Sequence, residues 1–383
     1  MGFKNRTNEK FSYSKDIGVE GNGKKMMINS VTKPKRSEVQ EGHRNYGTQI
    51  NNALFSGIAM CVTTVLVWFL LSKTAKSVGV AILIVTVTLA AFDTLVFMIL
   101  KNTHRKWKVT TTVLLALLNA AVFLSVTVYV LAPTQLFYPH FDKESYAKLK
   151  THSGAEELTV KTKNGNISGW MLHNAKDSAP LVLYFCGNGE NASTRMLRIL
   201  ANGDLETFKG CNIAIFDYPG YGKTDGIPSE ETLKDFGLAE FDALAKRKDV
   251  NRDRIIIFGY SIGTGVADYV SSKRDAAGLI LMAPYSDGYD LYNGIVNIFH
   301  GPLRSLVAFR MESIQFAENV SVKPLILASK SDQTVNYNSS VRLSHAFPSG
   351  CTLKTLENTG HNEFWGSKTV LKYIAEYLAE VNA

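Results

Sequence analysis

Ser261 lies in Phe258-Gly259-Tyr260-Ser261-Ile262-Gly263, a G-x-S-x-G pattern that follows an apolar run and precedes a helix-compatible stretch. That setting gives the pattern its chemical meaning. A strand that turns sharply into a helix holds a serine at the tip of a sheet, where its hydroxyl can attack a carbonyl carbon. The bend presses backbone so close to backbone that Gly259 and Gly263 are needed, because a Cβ at either position would collide. The amide of Ile262 then sits at a helix N-terminus, free to donate to a developing oxyanion. A serine hydroxyl is a weak nucleophile, so it needs a base, and the base needs a partner that fixes its tautomer. Asp332, in Ser331-Asp332-Gln333-Thr334-Val335, and His361, in Gly360-His361-Asn362, each follow an apolar run as Ser261 does. Taken singly, the serine pattern occurs by chance, Asp332 reads as a turn residue and His361 as a loop residue. The order Ser, Asp, His past successive strands points instead to nucleophilic catalysis.

The elements that must position these residues can be read from periodicity. Residues 157–162 and 167–173 flank Asn164-Gly165, a strong hairpin signal. Continuously apolar runs at 181–186, 211–216, 254–258, 278–282, 324–328 and 352–356 read as strands covered on both faces. Helix-like segments at 193–200, 231–247, 262–272 and 368–381 alternate with them. An antiparallel entry hairpin followed by this alternation predicts an α/β domain with a mostly parallel sheet and helices on both faces. Sheets of that kind place chemistry just beyond the C-terminal ends of their strands. The residues found there include Gly187-Asn188-Gly189-Glu190-Asn191, Asp217-Tyr218-Pro219-Gly220-Tyr221-Gly222 and the three stretches above.

These five motifs, in this order, resemble the α/β-hydrolase-fold serine hydrolases over essentially all of residues 135–383. Within that superfamily the chain is most similar to a membrane-anchored branch of lysophospholipases, depalmitoylases and prolyl-oligopeptidase-like enzymes. The resemblance implies Ser261 as nucleophile, His361 as general base and then acid, and Asp332 as the residue that orients the imidazole. It implies an oxyanion hole made by the amides of Ile262 and Asn188, with no cofactor and no metal. Asp217 is expected to fix its Tyr-Pro-Gly-Tyr-Gly turn. Cys186 departs from the pattern, since relatives often carry His or Tyr there, which puts the local hydrogen bonding in doubt but not a backbone-donated oxyanion hole.

Substrate is less legible. Large apolar residues crowd the segment 285–311, from Tyr285 and Tyr289 to Phe309 and Met311. They read either as ordinary packing or as an apolar wall that receives an acyl chain. The family branch implies an acyl ester or thioester, small or lipid-like. Peptide hydrolysis is an alternative, although no gating domain accompanies the hydrolase domain. So is a non-catalytic binding or sensing module at the membrane, against which an intact Ser, Asp and His speak. A channel or transporter would need more spans and more polar residues within them.

Before this domain, three apolar stretches at 53–71, 78–100 and 109–132 are long enough to cross a bilayer as helices, for which about 20 residues suffice. Residues 1–52 are polar and without apolar periodicity, as in a disordered tail. The expected organisation is thus tail 1–52, membrane domain 53–132 and hydrolase domain 133–383. Lys33, Lys35, Arg36 and Arg44 precede the first span, and Lys101, Arg105, Lys106 and Lys108 fill the second loop, against Lys73 and Lys76 in the first. With three spans the tail and second loop are cytoplasmic, and the hydrolase domain faces out. With two, it faces in. Asp93 is the one acid within a span. Its position reads either as part of a proton or ion path or, given its depth, as a protonated carboxyl that bonds Asn119 and pins two helices together, the second being preferred.

The excess of positive charge lies in the first 150 residues, with nineteen Lys/Arg against eight Asp/Glu; residues 151–383 carry twenty-three Lys/Arg against twenty-six Asp/Glu. Nucleic-acid binding would want the basic residues on the folded domain, so it is set aside. Cys61, Cys186, Cys211 and Cys351 show no metal-ligand spacing and read as small buried hydrophobes. Asn-x-Ser/Thr occurs at Asn166, Asn191, Asn319 and Asn338, of consequence only in a secretory pathway.

Overall fold

The computed structural model describes residues 105–175, 178–295 and 297–382, together with 87–89, 91, 92, 94–96 and 98. Eight strands form one sheet: β1 (Ala155–Thr162), β2 (Gly165–Leu172), β3 (Leu181–Phe185), β4 (Asn212–Phe216), β5 (Ile255–Tyr260), β6 (Gly278–Met282), β7 (Leu325–Ser329) and β8 (Thr352–Leu356). Their spatial order is β1-β2-β4-β3-β5-β6-β7-β8. β1 and β2 form the antiparallel hairpin across Asn164-Gly165, β2 pairs antiparallel with β4, and every later pair is parallel. All residues of β3 to β7 are buried, as strands covered on both faces must be. β1 and β8, at the edges, are only partly so.

The chain leaves β3 for β4 on one side and returns to lay β5 on the other. The strand order therefore reverses at β3, which opens a crevice outside the C-terminal ends of β3 and β5, where Phe185 lies opposite Gly259. Asn188 follows β3 and Ser261 follows β5, so topology alone sends both to this crevice.

Helices α1 (Arg105–Leu136) and α2 (Lys143–Lys150) precede the sheet, and α3 (Ala192–Ala201), α4 (Glu230–Ala245), α5 (Gly263–Ser271) and α6 (Gly288–Ile295) follow β3, β4, β5 and β6. The short α7 (Ser313–Ala317), α8 (Tyr337–Ser344) and α9 (Lys368–Asn382) complete the set. α3 and α9 both pack on the turn Asp204–Phe208, whereas α4 packs on α5 and α5 on α7, which makes two helical layers around the sheet. α4 starts where Ser229 and Thr232 cap each other reciprocally, and Asn191 caps α3 by accepting from the Thr194 amide.

All described residues belong to one unit. Among them, one helix is long and apolar enough to cross a membrane: 18 residues, Val109–Val126, have mean hydropathy 2.1 and 6% of that window is buried. Its parent α1 continues to Leu136, past the expected end at 132, and Leu136 and Phe137 are both buried in the core around the sheet. Helical residues around 87–98 belong to the expected second span, and Phe92 and Val96 pack there with Leu115 of α1. The expected tail at 1–52, the first span at 53–71 and Asp93 lie outside the described residues, as does the pairing of Asp93 with Asn119.

Candidate active site

The elbow is built as its glycines require. Ser261 has φ +52°, a left-handed conformation that a residue with a side chain adopts only when its surroundings force it. Its amide donates to the Met282 carbonyl of β6 at 2.9 Å, and its carbonyl accepts from the Thr264 hydroxyl at 2.6 Å. A Cβ on Gly259 would lie 2.6 Å from the Gly263 carbonyl oxygen, and one on Gly263 would lie 2.3 Å from that of Phe185. Both contacts are backbone to backbone. No side chain could move to relieve them.

Asp332 and His361 reach Ser261 from the loops after β7 and β8. His361 Nε2 lies 2.8 Å from Ser261 Oγ, and His361 Nδ1 lies 2.7 Å from Asp332 Oδ2. The carboxylate can only accept, so Nδ1 carries the proton and Nε2 is left to accept from the serine. The other carboxylate oxygen of Asp332 accepts the amides of Thr334 and Val335 at 2.8 and 2.9 Å, which is the physical content of the Asp-Gln-Thr-Val run. The Asp332 side chain is 2% exposed, so its charge is screened little by water. Tyr260, beside the nucleophile, was not singled out from sequence. Its ring stacks on His361 (centroids 5.4 Å, planes 24° apart) and its hydroxyl donates to the His361 carbonyl at 2.7 Å.

The loop Cys186–Asn191 closes the other side. Asn188 lines the same cavity as Ser261 and His361. Among the described residues, neither the Asn188 amide nor the Ile262 amide donates to a protein acceptor, so both are available to an oxyanion. Glu190 holds the loop from within: it accepts the Gly187 amide at 2.8 Å and the Tyr184 hydroxyl at 3.1 Å, and pairs with Arg195, whose guanidinium lies 4.7 Å over the Trp365 ring. This buried network was not read from sequence, because its members lie on four different elements. At Cys186, whose side chain is buried, the local bond runs through the backbone: the carbonyl accepts from the Tyr218 hydroxyl at 2.6 Å.

Asp217 serves its turn. It accepts the Ala192 amide at 2.8 Å, a Cβ on Gly222 would lie 2.0 Å from its Oδ2, and burial pushes its carboxyl up to about 6.

The cavity has a volume of about 650 Å³ and mainly polar walls, among them Asn188, Glu190, Arg198, Asn202, Thr334 and Asn362. The apolar wall expected from the segment 285–311 is not part of it. Tyr285 and Met311 are buried against the back of the elbow helix, where a Cβ on Gly265 would meet both and the Tyr285 hydroxyl donates to the Ile262 carbonyl at 3.1 Å, and Phe309 is buried against Phe137. The ordinary packing explanation therefore accounts for these three residues, while Ile295, Ile298 and Leu303 are exposed elsewhere on the segment.

Two further sequence features are resolved by burial and contact. Asn191 is 2% exposed and capping α3, so it is closed to glycosylation, whereas Asn166, Asn319 and Asn338 are exposed. Glu156, His173 and Asp249 cluster as metal ligands might, but Arg247 already bridges the two carboxylates at 2.7 and 2.6 Å.

Comparison with known proteins places this architecture. No family model matches the chain. An uncharacterized protein of Mycobacterium tuberculosis is 31% identical over 228 residues, which covers 58% of this chain and 79% of that protein. The alpha/beta hydrolase domain-containing protein aho-3 of Caenorhabditis elegans is 28% identical over 153 residues, 40% of this chain and 44% of its own length. Among solved structures, an alpha-beta hydrolase from Vibrio vulnificus superposes with a TM-score of 0.52 at 19% identity, over 68% of this chain and 92% of that one. An esterase of Pyrococcus furiosus gives the same TM-score at 15% identity, over 64% and 97%. The fold is thus that of the α/β hydrolases. The chain belongs to the family of the mycobacterial protein, within that fold.

Proposed function

We propose that this chain is a membrane-anchored serine hydrolase that cleaves a carboxylic ester or thioester through an acyl-enzyme on Ser261. The observation that carries the proposal is the continuous array Ser261–His361–Asp332, at 2.8 and 2.7 Å, on a serine held at positive φ beside two unengaged amides. Ser261 Oγ attacks the acyl carbon as its proton passes to His361 Nε2, and Asp332 stabilises the imidazolium that forms. The carbonyl oxygen becomes an oxyanion, bound by the amides of Ile262 and Asn188. The intermediate then collapses: the bond to the alcohol or thiol breaks, and His361 returns the proton to the departing group. Water, deprotonated by His361, attacks the acyl-enzyme, releases the carboxylic acid and restores the serine hydroxyl.

Anchoring rests on Val109–Val126 of α1, of which only 6% is buried within the protein, as a lipid-facing helix requires. In the proposed topology three spans put the tail in the cytoplasm and the hydrolase domain outside. An acyl substrate partitioned into the bilayer would then be within reach, while the polar walls around Ser261 suit a substrate whose scissile group is flanked by polar atoms.

Fluorophosphonate labelling of the membrane-embedded chain, wild type beside Ser261→Ala, tests the proposal. Labelling that disappears in the variant, followed by turnover of acyl esters or thioesters of graded chain length, supports it. Folded wild-type protein that takes no label would sink the catalytic reading and favour a binding module.

A further inference from the structure

The Tyr218-Pro219-Gly220-Tyr221-Gly222 turn is used by no step above, yet it touches both the oxyanion loop and the exit of α1. Tyr221 is fully buried. Its hydroxyl donates to Asn188 Oδ1 at 3.2 Å and accepts the Tyr138 amide at 2.7 Å. The neighbouring Tyr218 grips the same loop one step earlier, through the Cys186 carbonyl.

The other end of this connection is the segment that leaves α1. Leu136 and Phe137 are buried, and the Phe137 ring meets Phe309 edge-on at 5.5 Å. The next residues are bound as well. The His140 carbonyl accepts the Gly222 amide at 2.9 Å. His140 Nδ1 lies 3.1 Å from the Tyr138 carbonyl and Nε2 lies 3.0 Å from Asn191 Nδ2. One tautomer satisfies both contacts: Nδ1–H donates to the carbonyl and Nε2 accepts from the amide of Asn191. The linker after the apolar helix is thus hydrogen-bonded to both ends of the Asn188–Asn191 loop, through Tyr221 at one end and His140 at the other.

We infer that Tyr221 is a positioning residue for the oxyanion hole, and that the linker Phe137–His140 completes it, so that hydrolytic competence depends on how α1 enters the domain. The inference rests on the serine hydrolase proposal. Its physical basis is that Asn188 would donate through a backbone amide, whose direction is set by its own peptide planes. Tyr221 constrains the residue that carries this amide, through the Asn188 side chain. An oxyanion donor displaced by a fraction of an ångström stabilises the tetrahedral state less while leaving ground-state binding unchanged.

The test uses the full-length chain in nanodiscs, with rates normalised to sites titratable by fluorophosphonate. Tyr221→Phe keeps the ring and removes the hydroxyl. Its kcat is expected to fall about 10- to 100-fold, short of or equal to the loss of a whole oxyanion donor, with KM within about twofold. The inhibition constant of a trifluoromethyl ketone, which mimics the tetrahedral state, should rise by the same factor. A purely structural role would lower the number of titratable sites and leave kcat per site and that inhibition constant alone, which would overturn the inference. Tyr138→Pro removes the linker's amide donor to Tyr221, together with the largely exposed Tyr138 side chain, and should move kcat and the inhibition constant in the same direction. If Tyr221→Phe behaves as expected and Tyr138→Pro matches wild type, the coupling to α1 is refuted. A wild type that neither labels nor turns over fails at the serine hydrolase proposal itself, and this inference falls with it.

Discussion

Replacing Arg195 with Met should unfold the protein many degrees earlier, and replacing Glu190 with Gln at the same time should restore most of the loss. The two side chains are 5% and 12% exposed, so each charge has lost most of its water. With Arg195 gone, Glu190 keeps only the Gly187 amide and the Tyr184 hydroxyl, both neutral donors. Two unit charges about 4 Å apart at an effective dielectric near 20 attract by about 4 kcal/mol, and breaking buried pairs from one side costs roughly 3–5 kcal/mol. For a domain of this size about 2–4 °C of Tm accompanies each kcal/mol, so a fall on the order of 10 °C is expected. The double variant leaves no uncompensated charge, so its loss should be well below the sum of the two single losses. Thermal melts of the four proteins in one detergent give the coupling as a double-mutant cycle. If Arg195→Met melts within about 2 °C of wild type, or the two losses add to within roughly 0.5 kcal/mol, Glu190 and Arg195 are not the interdependent pair described above.

Asp332→Asn should lower kcat by about four orders of magnitude with little change in KM, because an amide can stabilise the wrong imidazole tautomer; steady-state kinetics on a soluble ester will show it. Gly263→Ala should abolish folded protein or lower Tm by more than ten degrees or so, since its Cβ would meet two backbone carbonyls. Gly189→Ala, at positive φ (+73°) but facing open space, should cost only about 1–2 kcal/mol. Parallel melts of the two separate crowding from backbone conformation. Burial raises the Asp217 carboxyl to about 6 from an ordinary value of 3.8, so the folded state holds this proton more tightly than the unfolded state. Its contribution is therefore greatest below about pH 4 and is lost as pH rises through about 6, an effect on the order of 3 kcal/mol. Asp217→Asn should flatten the decline of Tm over that window, and an unchanged slope would count against it. Arg198 lines the cavity with no carboxylate partner among the described residues. Arg198→Glu should therefore reduce kcat/KM about tenfold or more for an ester bearing a carboxylate, relative to its neutral analogue.

Much of this protein could be read along the chain because its signals are local. A buried parallel strand is an apolar run bounded by turn residues, and all eight strands lie within two residues of where those runs put them. The elbow is local too: Gly259, Ser261 and Gly263 fall within one turn, and their spacing is a direct record of how close two backbones must pass. Asp332 and His361 could be named because strand ends converge in this fold, so that residues separated by 29 and 100 positions in sequence arrive at hydrogen-bond distance. The tertiary structure decided what convergence brings together without a pattern. Glu190, Arg195 and Trp365 meet from the oxyanion loop, α3 and the turn before α9, and nothing in their spacing announces a shared network. Tyr221 stood in a motif without a role until its hydroxyl was seen between Asn188 and the Tyr138 amide. The apolar segment 285–311 shows the limit most clearly. Hydrophobicity says that a residue avoids water, but whether it does so behind the elbow helix or along a substrate channel depends on which surface the fold places opposite it. For Tyr285 and Met311 that surface is α5, and the cavity at Ser261 was left to polar side chains.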